Sequence, residues 1–257
     1  MTDRPFDDPR VDDPRAPRLL PISDAAAAYR LVYERIDAPL RGRAGVAELP
    51  VPACPDWTVR QIVAHLAGVA QDILALNMEG KAADSWVQAQ VDRLGGNSVD
   101  ELLDLWGQMI DPVTARLAFQ ESACQLVFDT LTHEHDIRGA LGQPGSRAGD
   151  LPFEAALGFL TTMGDLINRE AGLPALRLTT PTLGSVHLGD PHTAPGQVAL
   201  SISDFEALRA LGGRRSVAQL LALPWQGDPT NSLPAFTHWL PTFSNGGIRP
   251  PHDDLVE

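Results

Sequence analysis

The chain has 257 residues, 44% of them hydrophobic and 21% charged, with a formal net charge of −13. A core can be built at that composition, so wholesale disorder is excluded. The acidic balance repels a phosphate backbone and an anionic bilayer surface, so neither nucleic acid nor membrane is an expected partner.

No apolar run is long enough to span a bilayer. The start, Met1-Thr2-Asp3-Arg4-Pro5, lacks the apolar stretch of a secretory signal. Cys54 and Cys124 are too few for a disulfide framework and read as reduced thiols of a cytoplasmic protein. Nineteen of the twenty basic residues are Arg and one, Lys81, is Lys. That bias is what GC-rich coding produces and points to a high-GC bacterium.

Residues 1–20 alternate Asp and Arg with Pro5, Pro9, Pro14 and Pro17, and are expected to form a disordered tail. Ser23 or Asp24 can cap a first helix running to Ile36 or Leu40. The proline-rich stretch 41–57 reads as a loop. Thr58 and Gln61 form a capping box for a helix whose Val59, Ile62, Val63, Leu66, Val69 and Ile73 recur at helical spacing. A short amphipathic piece through Trp86, Val91 and Leu94 stops at Gly95-Gly96. Ser98 and Glu101 make a second box, before a helix bent at Pro112. A fourth helix runs from about Ser122 to Leu141 and ends at Gly142. A fifth follows Pro152 and ends at Gly172.

Beyond Gly172 the period changes. Three short strands are predicted over 176–180, 185–188 and 198–202. Asp204 caps a helix to Leu211, and Ser216 with Gln219 opens another. The remainder, 224–257, reads as irregular. The fold class is therefore α+β: a four-helix-type bundle over 21–172, then a smaller α/β domain over 173–257.

The chemistry concentrates on two helices. His65 borders the buried stripe of its helix. Asp129 and His133 stand four apart on one face of the fourth helix, flanked by Leu126 and Ile137. A carboxylate there must be paired or bind a metal, and the spacing alone leaves both open. Two imidazoles and a carboxylate from two helices can make a three-ligand site with an open position, suited to zinc and similar to iron sites. Asp136 can orient an imidazole or pair with a nearby Arg. His135 or His238 closing the site as a fourth ligand would favour a non-catalytic metal- or ligand-binding module. No glycine-rich phosphate loop is present.

The run Ala53-Cys54-Pro55-Asp56-Trp57-Thr58-Val59-Arg60-Gln61-Ile62-Val63-Ala64-His65-Leu66 resembles the signature of the mycothiol-dependent maleylpyruvate isomerase family, whose bundles are DinB-like. Asp129 to Asp136 is similar to the family's second motif, and Gly213 to Leu221 resembles its C-terminal domain. The resemblance implies a zinc site on His65, Asp129 and His133, with mycothiol or a similar small thiol as cofactor. It also implies an essential arginine: Arg214 is the best match, with Arg215 and Arg209 as fallbacks. It departs where the isomerase pattern has Glu and this chain has Asp129. The implied activity is isomerisation or S-transfer on a small electrophile bearing a carboxylate, by a monomer or homodimer.

Overall fold

The computed structural model describes residues 13, 15–81, 83–190, 198–232, 236, 251 and 253–257. Six helices come first: α1 (Ile22–Leu40), α2 (Val59–Ala75), α3 (Asp84–Leu94), α4 (Val99–Arg116), α5 (Gln120–Leu141) and α6 (Leu151–Glu170). Helices α1, α4, α2 and α5 pack in a ring as a four-helix bundle, α6 lies against α5 and α1, and α3 lies against α2.

Local chemistry sets the helix ends. The Thr58 and Ser98 side chains accept from the backbone N–H three residues on, and Gln61 and Glu101 return the bond to the capping residue. Gly142 ends α5 at φ 62°, in the left-handed region that glycine enters freely. α1 starts differently from the sequence expectation: Pro21 precedes it, and the Pro21 carbonyl accepts from Asp24 and Ala25 while no side chain caps.

The stretch 41–57, expected as loop, holds a hairpin of β1 (Pro50–Val51) and β2 (Cys54–Thr58). Its prolines break the alternation by which a strand is recognised. β2 runs straight into α2, so the hairpin fixes the entry of that helix.

After α6 comes a four-stranded sheet ordered β4-β3-β5-β6, from β3 (Leu176–Thr180), β4 (Gly184–Leu188), β5 (Val198–Ser201) and β6 (Trp225–Gln226). β3 pairs antiparallel with β4, Leu176 opposite Leu188, and parallel with β5, Leu176 opposite Val198. β6 lies inside the stretch read as irregular, where two residues are too few to show a period. Helices α7 (Asp204–Leu211) and α8 (Val217–Leu221) sit between β5 and β6 in the chain. Ser203, rather than Asp204, caps α7; the Asp204 carboxylate instead accepts from the Thr182 backbone N–H.

One apolar cluster joins the two regions, running from Trp106, Phe153 and Leu160 to Leu176, Leu188, Leu200 and Leu208. Helix α6 packs on both β4 and α7. Of the expected tail, residues 1–12 and 14 lie outside the described residues. Residues 15–20 run along the bundle: Arg15 accepts from the His187 N–H at 3.0 Å, and Leu19 and Leu20 pack on the core. Gly158 makes that path possible, since a Cβ there would meet the Arg18 carbonyl at 2.5 Å. No described helix is long and apolar enough to cross a membrane.

Trp106 is fully buried in the bundle and donates to the Tyr29 hydroxyl at 2.7 Å. Trp106→Phe strips that hydroxyl of its donor and leaves a gap. A loss of about 1–3 kcal/mol in unfolding free energy by urea denaturation is the expected result.

Candidate metal centre

Helix α5 is buried almost all round from Ala123 to Ile137, including its polar residues. Each polar group there therefore needs a partner. Thr130 donates to the Leu126 carbonyl at 2.7 Å, and Glu134 accepts from Arg138 at 2.8 Å. Asp129 and His133, one turn apart, face α2 and meet His65.

The three expected ligands come together. Asp129 oxygens stand 3.6 Å from His65 Nε2 and 3.8 Å from His133 Nε2. All three ligand atoms lie within 4.8 Å of one another. The Asp129 side chain keeps 33% of its surface exposed and those of the two histidines 5% and 9%, so the cluster opens on the Asp129 side. Trp57, the residue before the α2 cap, stacks at 25° over the His133 ring and tilts against His65.

Both imidazoles are held from behind. His65 Nδ1 lies 2.7 Å from Gln90 Oε1, and Gln90 Nε2 donates to Asp72 at 2.7 Å, which fixes the amide with its oxygen toward the ring. His133 Nδ1 lies 3.0 Å from Asp136 Oδ2. Each Nδ1 thus faces an acceptor and carries the proton, leaving both Nε2 lone pairs aimed at the Asp129 carboxylate. With both imidazoles neutral, three acceptors converge with no donor among them, an arrangement that a cation relieves. Ligand atoms about 2.1 Å from a tetrahedral ion stand roughly 3.4 Å from one another, close to the spacings here. The residues fit a divalent metal.

Burial works against an ionised Asp129, but the positive charge available from His65, His133 and Arg214 holds its carboxyl below the usual value. Asp136 has no exposed side-chain surface. Arg209 donates to its Oδ1 at 2.8 Å and Arg214 to its Oδ2 at 2.9 Å. Against the burial, these guanidiniums and His133 hold the Asp136 carboxyl well below the carboxylate range.

Arg214 reaches this point because Gly213 turns the chain at φ 71° after α7. Its side chain stays 17% exposed. The fallbacks separate: Arg209 lies fully buried beneath Asp136, whereas Arg215 pairs with Glu206 and Glu257. Cys54 sits 3.5 Å from Asp136 and 3.7 Å from Arg214. Burial and the Asp136 charge push its thiol up to about 12, so it stays protonated near neutral pH. Cys54, His133 and Asp136 also cluster as possible ligands, but Asp136 is already committed to two guanidiniums.

His135 is not a fourth ligand. It lies between the rings of Phe153 and Phe205, and burial with the Arg209 charge pushes its pKa down to about 3. His192, His238 and His252 lie outside the described residues. Sequence reasoning missed Gln90 and Asp72. The one available signal was Gly68, a gap in the α2 stripe where a Cβ would strike Gln90 Cβ at 2.5 Å.

Two histidines and one carboxylate, converging in a helical bundle with one side open, could hold a metal ion. Residues 31–138, which hold the whole tripod and Asp136, match the family model described as the mycothiol maleylpyruvate isomerase N-terminal domain. Both motifs on which the resemblance was read, Ala53–Leu66 and Asp129–Asp136, fall inside the matched stretch. Two solved structures are similar to the chain: the mycothiol-dependent maleylpyruvate isomerase and its histidine-to-alanine variant. Both are 16% identical to it over 76% of this chain and 90% of theirs, with TM-scores of 0.44 and 0.48 respectively. The curated proteins contain no match.

Gly68→Ala tests the support behind His65. Pushing α3 off α2 is expected to lower stability by about 1–3 kcal/mol in chemical denaturation. It should also move the His65 imidazole 15N resonances, because Gln90 no longer reaches Nδ1.

Proposed function

We propose that the chain is a metal-dependent enzyme that uses a small external thiol, mycothiol or one like it, on a small electrophile bearing a carboxylate. The reaction is isomerisation or S-transfer. The observation that carries this reading is the convergence of three acceptor atoms, from His65, Asp129 and His133, on a point open to one side.

Those three residues would hold the ion, zinc by the donor set. When bound, the ion offers its open position to a thiol sulfur and favours the thiolate near neutral pH. The residues of the chain do the rest. Gln90 and Asp136 keep both imidazoles in the metal-binding tautomer. Trp57 stacks over the His133 ring and tilts against His65, shielding both from water. Arg214, partly exposed and beside the cluster, keeps N–H groups beyond those given to Asp136 and can take a substrate carboxylate. Cys54 lies beside the cluster, and its raised pKa keeps it a thiol near neutral pH, which favours an external thiol as nucleophile.

The test is the metal content of purified wild-type protein and His133→Ala by elemental mass spectrometry. About one zinc per wild-type chain, lost in the variant, is expected. The cobalt-substituted wild type should change its visible absorption on adding a thiol, as sulfur enters the open position. Iron in place of zinc would redirect the reading toward oxygen chemistry. No metal after zinc supply, or cobalt absorption blind to thiols, would overturn it in favour of a binding module.

A further inference from the structure

Beneath the centre, Arg209 is a buried guanidinium shared between two carboxylates. Its Nη1 donates to Asp136 at 2.8 Å and to the Thr132 carbonyl at 3.3 Å. Its Nε and Nη2 form a fork on Glu257, at 2.9 and 2.6 Å. The side chains of Arg209 and Glu257 are 0% and 5% exposed. Glu257 arrives on the segment 253–257, which Ser216 and Gln219 anchor. Ser216 bonds the Asp254 carboxylate, and Gln219 donates to the Leu255 carbonyl at 2.8 Å while accepting from its N–H at 3.2 Å.

We propose that Glu257 is a positioning residue for the metal centre, acting through Arg209 and Asp136 on His133. The claim rests on the metal-site reading above. The physical reason is competition for one guanidinium. Engaged by the Glu257 fork, Arg209 offers Asp136 a single N–H on Oδ1, leaving Oδ2 to His133 Nδ1 and to Arg214. Without Glu257, two desolvated Arg209 donors lose their acceptor. Asp136 is the remaining carboxylate within reach, and a bidentate pair on it turns Oδ2 away from the imidazole. His133 then loses the bond that sets its tautomer and orientation.

Glu206 provides the control. It pairs with Arg215, which also touches Glu257, but makes no bond to Arg209. The experiment compares wild type with Glu257→Gln, Glu257→Ala and Glu206→Gln, each shown to be folded by near-ultraviolet circular dichroism. Zinc affinity is read by chelator competition, and ligand geometry by the absorption of the cobalt-loaded protein. Both Glu257 variants are expected to bind zinc about tenfold more weakly, with altered cobalt absorption, while Glu206→Gln stays within about twofold of wild type. Glu257→Gln keeps the side-chain volume, so its folding guards against collapse of the alanine variant. Wild-type affinity and absorption in both Glu257 variants, or an equal loss in Glu206→Gln, would overturn the proposal. If wild type takes up no metal, the metal-site reading fails by itself. The relay is then judged on the metal-free protein by the His133 imidazole 15N shifts. A change of tautomer in Glu257→Gln supports it, and unchanged shifts overturn it.

Discussion

An ionised carboxylate with no exposed surface has to be neutralised where it stands, and Asp136 is such a group. Its two oxygens take a guanidinium from Arg209, a second from Arg214 and the Nδ1 proton of His133. Removing either guanidinium leaves buried charge uncompensated, which costs more than the pair contributes. The arginines come from α7 and the turn after it, whereas Asp136 comes from α5. The helical region and the sheet region are thus tied at a point where their registry sets the direction of the His133 imidazole. The shared apolar core gives cohesion, and this ion cluster gives the alignment.

The same logic explains why α5 is central. Helix α1 lies on one side of it, α6 on another and α2 on a third, so its Thr, His, Glu and Asp residues cannot turn to solvent. Polar groups in such a helix persist only where each is paired. The pairing around Asp129 stops short of completion, because its oxygens and the two Nε2 atoms are all acceptors. That shortfall is where three side chains from two helices converge.

How much of this was legible in the sequence follows the range of each interaction. Thr58 with Gln61, Ser98 with Glu101 and Ser216 with Gln219 are contacts across three residues, and all three capping boxes form as read. Asp129, His133 and Asp136 share a face of one helix, so their proximity was readable from spacing, which left an ion pair and a metal site equally open. His65 needed the resemblance, since a single imidazole at the edge of a stripe has an ordinary core reading. Gln90 and Glu257 had no local sign. Gln90 sits on a short, polar-looking helix and is buried because Gly68 lets α3 close on α2. Glu257 meets Arg209 across 48 positions, a separation that leaves no periodic trace. The β1–β2 hairpin was hidden by its prolines, and β6 by its length.

The two imidazoles of the tripod are backed by different chemistry: a neutral amide behind His65 and an ionised carboxylate behind His133. A carboxylate on Nδ1 pushes electron density toward Nε2, and an amide oxygen does so far less. The two Nε2 atoms therefore differ in basicity, with His133 on α5 the stronger donor and His65 on α2 the weaker.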